Sequence, residues 1–351
     1  MAEINSQVGN TRFQFALQQI PQAVPPIWFM RQAGRYHCHY QNLRAKHSFE
    51  ELCKVPELAA EVAWGPIQDF DFDVAILFSD ILFPLEALGF GLQYTDQGPK
   101  LGFHLDPETF QRLKPASEVK EQLNFQGEAM RMTRARLPNS KSLIGFVGGL
   151  WTLFVYACEG SHAGSLTRAK ALLPLVPSFN TEMLTLLKWT IRRQLEGGAE
   201  VVMIFDTAAG ELSPANYKEF VLPGLTELAN IFPGKLGYYS KGTQESFLTT
   251  GLLELPWVGL GFDHRWNLPA LMRSKVLEPH SGFVQGNFDQ ALLHADLPSL
   301  KKYTQAYLQT WQELTPQQRA GWVCGLGHGV LPKTPESHVK YFIQAMREGL
   351  S

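Results

Sequence analysis

The sequence has almost no charge excess. Its 31 Lys and Arg stand against 33 Asp and Glu, a formal net charge of -2, so a general affinity for nucleic acid or an anionic membrane is not indicated. Any anionic ligand must therefore be met by cations gathered locally. Long apolar runs are missing as well, and no segment approaches a membrane span. The opening stretch MAEINSQVGNTRF lacks the charged start and apolar centre of a secretory signal. The 4 cysteines, Cys38, Cys53, Cys158 and Cys324, have no paired spacing, which excludes a disulfide framework and fits free thiols in a reducing cytoplasm. No Gly-rich dinucleotide fingerprint follows the first apolar run, which counts against a Rossmann domain. His37-Cys38-His39 sets its candidate ligands side by side, with no second cluster to complete a shell, and reads as a polar loop rather than a metal site.

What is present points to a large core. Apolar residues make up 45% and charged residues 18% of 351 residues, which suits a globular protein. Eight short runs are rich in β-branched and aromatic residues: 24–30, 73–79, 143–149, 201–205, 235–239, 257–262, 282–285 and 322–326. Segments with helical apolar spacing lie between them, most clearly at 49–70, 178–196, 214–231, 297–314 and 335–349. Ser213 before Pro214 and Thr334 before Pro335 read as an N-cap followed by Pro at the first helical position, and Asp106-Pro107 reads the same way. Eight strands alternating with helices predict an α/β fold, a closed (β/α)₈ TIM barrel. An extra hairpin between the second and third strands is expected over 92–103, turning at Gln97-Gly98-Pro99. No linker or repeat divides the chain, so residues 1–351 are expected to form a single domain.

In such a barrel the active site lies at the C-terminal ends of the strands. Those ends carry Arg31 to Tyr36, Asp80, Trp151-Thr152 with Tyr156, Asp206-Thr207, Ser240-Lys241, Asp263-His264-Arg265, Gln285-Gly286-Asn287 and Gly327-His328-Gly329. Asp80 is the carboxylate in the middle of the nearly all-apolar stretch from Asp73 to Gly91. A carboxylate there is expected to be desolvated and to need a partner for its charge. Burial would raise its pKa and a nearby Arg would lower it, and the sequence leaves that balance open. Arg31 and Arg35 flank Gly34 directly after a buried strand. Their planar guanidinium forks can grip carboxylate or phosphate, with Gly34 allowing close approach or a left-handed turn, and Arg44 and Lys46 add positive charge. We read this loop as an anion clamp. His328 is a candidate donor or general acid, or else a histidine bonded to backbone at a strand end. Cys324 is expected in the core.

These residues carry a resemblance. PPIWFMRQAGRY (25–36), ILFSDIL (76–82), IFDTAAGELSP (204–214), LGFD (260–263), QGNFD (285–289) and LGHGVLPKTP (326–335) resemble, in order, the motifs of the uroporphyrinogen decarboxylase family. The resemblance runs from about residue 13 to the C-terminus. It implies a (β/α)₈ barrel, a homodimer, a cytoplasmic enzyme and no metal or organic cofactor. The implied reaction removes the carboxyls of the four acetate side chains of uroporphyrinogen, giving coproporphyrinogen. Carried over by motif, Arg31 and Arg35 bind substrate, Asp80 is the central aspartate, and Tyr156, Thr207 and His328 are further substrate-binding positions. The chain departs from the family pattern at His37-Cys38-His39, at Gly148-Gly149-Leu150, at Ala208, at Gln290 and at Gly325. Two other readings stay open at this level: a non-catalytic porphyrinogen-binding paralogue, and a corrinoid-dependent methyltransferase sharing the barrel.

Overall fold

A computed structural model describes residues 8–95 and 98–351. Seven parallel strands form one curled sheet in the order β1 (Val74–Ile76), β4 (Ser142–Gly148), β5 (Val201–Asp206), β6 (Leu236–Ser240), β7 (Gly259–Gly261), β8 (Phe283–Phe288) and β9 (Trp322–Leu326). The antiparallel pair β2 (Gln93–Thr95) and β3 (Gly98–Lys100) is the expected hairpin. Its turn differs from expectation: Gly98 and Pro99 already belong to β3, paired with Thr95 and Tyr94, and Gln97 lies outside the described residues.

The run 24–30 is not a full strand. It makes one parallel bridge, Ile27 to Cys324, and closes the barrel through only a few hydrogen bonds. Cys324 N donates to Pro26 O (2.9 Å), Trp28 N to Cys324 O (3.3 Å) and Asp73 N to Ile27 O (3.0 Å). The cause is local. Pro25 and Pro26 have no N–H to give a ladder. The Ile27 N–H goes instead to the Asp73 carboxylate at 2.8 Å. Asp73 is 2% exposed and also takes Arg12 (3.3 Å), Arg347 (3.4 Å) and Asn10 Nδ2 (3.2 Å). The carboxylate thus holds together chain segments from both termini and the barrel seam.

Strand alternation builds two cores. Val201, Met203 and Phe205 of β5 pack inward with Trp28, Val74, Ile144, Tyr239, Phe283 and Val323, while Val202 and Ile204 face the helix layer. The helix Thr11–Leu17 sets Phe13 against Phe283, ring centroids 5.7 Å apart, and so caps the inner core. Cys324 is fully buried, as expected.

The helices broadly follow their apolar spacing. The segment 49–70 is split into Phe49–Lys54 and Pro56–Phe70, and 214–231 into Pro214–Phe220 and Leu222–Ile231, each break lying just before a proline turn. Ser213 caps Asn216 N as read from sequence, and Asp106 Oδ1 accepts from Glu108 N and Thr109 N. Thr334 does not cap. Its hydroxyl pairs with His294 Nε2 at 3.0 Å, and the helix Glu336–Gly349 starts without a side-chain cap.

Removing the Asp73 carboxylate leaves the buried Ile27 N–H unmatched and opens the seam. Asp73→Ala is expected to cost about 3 kcal/mol or more in urea unfolding, the range for breaking a buried charged network. A loss below about 1 kcal/mol would show that packing alone closes the barrel.

Candidate active site

The cleft at the strand ends is built on one loop conformation. After Met30 the chain turns through Arg31 in the left-handed region, φ 58°. A non-glycine residue held there needs the surroundings to fix it. Buried Gln32 does so, donating to Val74 O (3.1 Å) and accepting from Phe29 N (3.3 Å), while Tyr36 OH donates to Gln32 O (2.7 Å). Gly34 is not the left-handed residue, and a Cβ there would meet Arg31 O at an ordinary 3.6 Å. The turn falls to Arg31 itself, because Gln32 is pulled inward to β1. The Arg31 side chain lies over Gly329, where a Cβ would come within 2.5 Å of Arg31 Cδ. That contact explains the small residue after His328.

Arg31 and Arg35 are exposed, and among the described residues neither makes an ion pair or a side-chain hydrogen bond. Arg44 is different, its guanidinium capping His47 O at 2.9 Å. Asp80 lies four residues past β1 and is half-buried. Leu82 N donates to it at 2.8 Å, and among the described residues no cation is in salt-bridge contact with it. Burial raises its pKa, against the pull of the Leu82 amide and of Arg31. That settles the balance the sequence left open in favour of desolvation. Tyr94, on β2, brings its buried hydroxyl beside Asp80 without completing a well-formed hydrogen bond, so the hairpin roofs this carboxylate.

Tyr156 sits half-buried on the helix Leu150–Glu159, its phenol pushed up to about 12 by burial and then by the Asp80 charge. Its hydroxyl is 2.8 Å from His162 Nδ1. His328 follows β9, pushed down to about 3 by burial and by the charges of Arg31 and Lys241. Its ring stacks near Tyr239, centroids 6.0 Å apart at 10°, and Nδ1 is 3.2 Å from Tyr239 OH. That hydroxyl already donates to Gly327 O (2.8 Å), so His328 Nδ1 is assigned as the donor to it. The neutral ring then presents Nε2 as an acceptor. The structure therefore places Asp80, Tyr156 and His328 within reach of the Arg31 charge, and Tyr156 within reach of the Asp80 charge. Among the described residues, Arg35 and Thr207 share no hydrogen bond or ion pair with that set.

Asp206, at the end of β5, is structural. It is fully buried and accepts from Thr152 N (2.9 Å), Thr152 Oγ1 (2.6 Å) and Tyr238 OH (3.3 Å). A Cβ at Gly149 would lie 2.4 Å from the Asp206 side chain, which accounts for glycine at that departure. At Gly325 the Gln285 amide fills the space, 2.1 Å from where a Cβ would be. His37 and His39 face separate carboxylates on the helix Pro56–Phe70, Asp69 at 2.7 Å and Glu61 at 3.1 Å. Sequence reasoning missed His162, Tyr239 and Tyr94 as site residues. His162 had one signal, lying six residues beyond Tyr156 and just past Gly160, which ends the helix in a left-handed turn.

A parallel α/β barrel with its titratable cleft residues at the C-terminal ends of its strands is the class of protein this structure defines. Solved structures share that fold: a methyltransferase from Methanosarcina mazei matches with TM-score 0.74 at 16% identity, over 97% of this chain and 98% of that one. The putative vitamin-B12 independent methionine synthase from Listeria monocytogenes matches with TM-score 0.53 at 12% identity, over 93% and 98%. At those identities the likeness extends to the fold alone. The sequence relationship is closer elsewhere. The chain belongs to the uroporphyrinogen decarboxylase (URO-D) family, whose profile matches residues 9–349. A uroporphyrinogen decarboxylase of Chloroherpeton thalassium is 33% identical over 97% of both chains, and one of Synechococcus sp. is 32% identical over 92% of this chain and 93% of its own.

Burial holds the Asp206 carboxyl at about 6 against 3.8 when unhindered, despite its hydrogen bonds. The fold thus prefers the protonated form. Its contribution is complete below pH 3.8 and is lost as pH rises through about 6, a cost of roughly 3 kcal/mol at neutrality. Asp206→Asn keeps a neutral acceptor for Thr152. Its urea midpoint is expected to gain on wild type between pH 4 and 7; parallel pH curves for the two proteins would show that Asp206 is not desolvated.

Proposed function

We propose that this chain is a carboxy-lyase that removes the carboxyls of the four acetate side chains of uroporphyrinogen III, giving coproporphyrinogen III and carbon dioxide. It does so as a cytoplasmic homodimer acting through one barrel domain per chain. Among the described residues no helix is long and apolar enough to cross a membrane. The observation that carries the reading is the separation of charges in the cleft: among the described residues Arg31 and Arg35 lack counter-ions, and Asp80 lacks a cation in contact. A site built for its own stability would pair them. A substrate bearing carboxylates around a ring of pyrrole N–H groups completes both halves.

In this reading Arg31 and Arg35 grip substrate carboxylates with paired N–H donors. Asp80 accepts from the pyrrole N–H groups. When a pyrrole is protonated on carbon, the cationic ring accepts the electron pair of the breaking C–C bond. Asp80, with little water around it, stabilises that cation and is returned toward its ionised form. His328 Nε2 accepts from substrate, and Tyr156 and Thr207 orient it.

Variants separate these roles under anaerobic turnover of uroporphyrinogen. Arg31→Ala is expected to raise KM about tenfold or more by losing a charge-assisted grip. Asp80→Asn is expected to lower kcat about 100-fold with KM little changed, because its charge acts on the cationic ring. An Asp80→Asn protein with wild-type kcat would remove Asp80 from the mechanism.

A further inference from the structure

The proposed reaction, on which this inference rests, consumes one proton at each acetate. The carboxylate leaves as carbon dioxide, and the methylene carbon it leaves becomes a methyl. Asp80 is placed to stabilise charge rather than to deliver that proton. His162 is unused by the mechanism so far, yet its Nδ1 is 2.8 Å from the Tyr156 hydroxyl with the rings 5.4 Å apart. It is half-buried within an exposed loop: Ser161, Ala163, Gly164 and Ser165 are all open to solvent. Its ring therefore touches a cleft phenol at one nitrogen and has a route to water on its other side.

We propose that His162 and Tyr156 form a relay that supplies the net proton of each decarboxylation, with His162 as the positioning and proton-holding partner. The groups acting on His162 are Tyr156, by direct contact, together with Lys241, Arg31 and His328 from three other strand-end segments. Before an anion binds, burial first and then Lys241 and Arg31 keep the imidazole below its usual pKa, so it is neutral, with Nδ1–H donating to the phenol oxygen and Nε2 free to take a proton from water. A bound polycarboxylate offsets Lys241 and Arg31. The imidazole can then take a proton from solvent, and Nδ1–H donates to the phenol oxygen.

The bonds balance as follows. A proton first adds to a pyrrole ring carbon. The C–COO⁻ bond breaks, its electron pair forms an exocyclic double bond to the ring, and carbon dioxide leaves. Tyr156 O–H then protonates the exocyclic carbon while its oxygen takes the proton from His162 Nδ1. The ring carbon releases the first proton and the ring becomes aromatic again. One proton is consumed in sum, taken from water at His162 Nε2, and exchange with water returns the neutral ring to its Nδ1–H tautomer.

The test is the pH profile and rescue of His162 variants with uroporphyrinogen under anaerobic conditions. Wild-type kcat is expected to fall at alkaline pH as bound-state His162 loses its proton. His162→Asn keeps a bond to Tyr156 but holds no proton to give. Its kcat is expected to drop about 100-fold, the low end for a positioned general acid, with KM within about twofold and the alkaline limb gone. Added imidazole is expected to restore His162→Ala in proportion to its protonated fraction. An active wild type whose His162→Asn variant keeps kcat and the same limb overturns the relay alone, as does an absence of imidazole rescue. A wild type that leaves all eight carboxyls in place overturns both the relay and the decarboxylase reading.

Discussion

The Asp73 carboxylate is the contact on which both the barrel and its site depend. Two prolines deprive the first strand position of ladder donors, so a side chain has to hold it. Asp73 takes the Ile27 N–H and draws Arg12, Arg347 and Asn10 around itself. From Ile27 the chain runs through Met30 straight into Arg31. From Asp73 it runs through β1 to Asp80. One carboxylate at the foot of β1 thus fixes where the arginine loop and the second carboxylate come together beyond its other end. Gln32, donating to Val74 O, is the second tie between the same two segments.

The site shows the opposite economy from the seam. At Asp73 every charge is matched, and the reward is stability. At Asp80 and Arg31 the charges are kept close enough to act on one another but out of contact. The cost falls on Asp80, whose carboxyl is raised by burial, and on His328, whose imidazole is driven neutral by burial first and then by the nearby cations. The cleft is thus arranged for a charge pattern that its own residues do not supply. Asp206 is the contrast within the same rim: a buried carboxylate saturated by Thr152 and Tyr238, facing the fold instead of the cleft.

Much of this was legible in sequence. The seven strands of the main sheet fall on runs of β-branched and aromatic residues, because both faces of a barrel strand are buried and the pattern is continuous. The eighth failed at Pro25-Pro26, where hydrophobicity is right but donors are missing. Arg31, Asp80, Tyr156 and His328 were readable because each sits at a strand end or one helix away from it. Gly34 offered close approach or a left-handed turn on propensity; the left-handed turn belongs to Arg31, because the pull of Gln32 on β1 is a tertiary effect. His162 had only its place just past the Gly160 helix end, and Tyr94 had no local pattern. One lies in an exposed loop and the other in a short hairpin, and only the folding of those segments over the cleft brings them to Tyr156 and Asp80.

The most direct measurement is anaerobic incubation of the chain with reduced uroporphyrinogen III, followed by oxidation and chromatography of the porphyrins. The account predicts successive seven-, six-, five- and four-carboxyl species as the acetates are lost, with the propionates untouched. Binding of uroporphyrinogen with all eight carboxyls retained would contradict it. It would make the cleft a receptor for the ring and not a site of its decarboxylation.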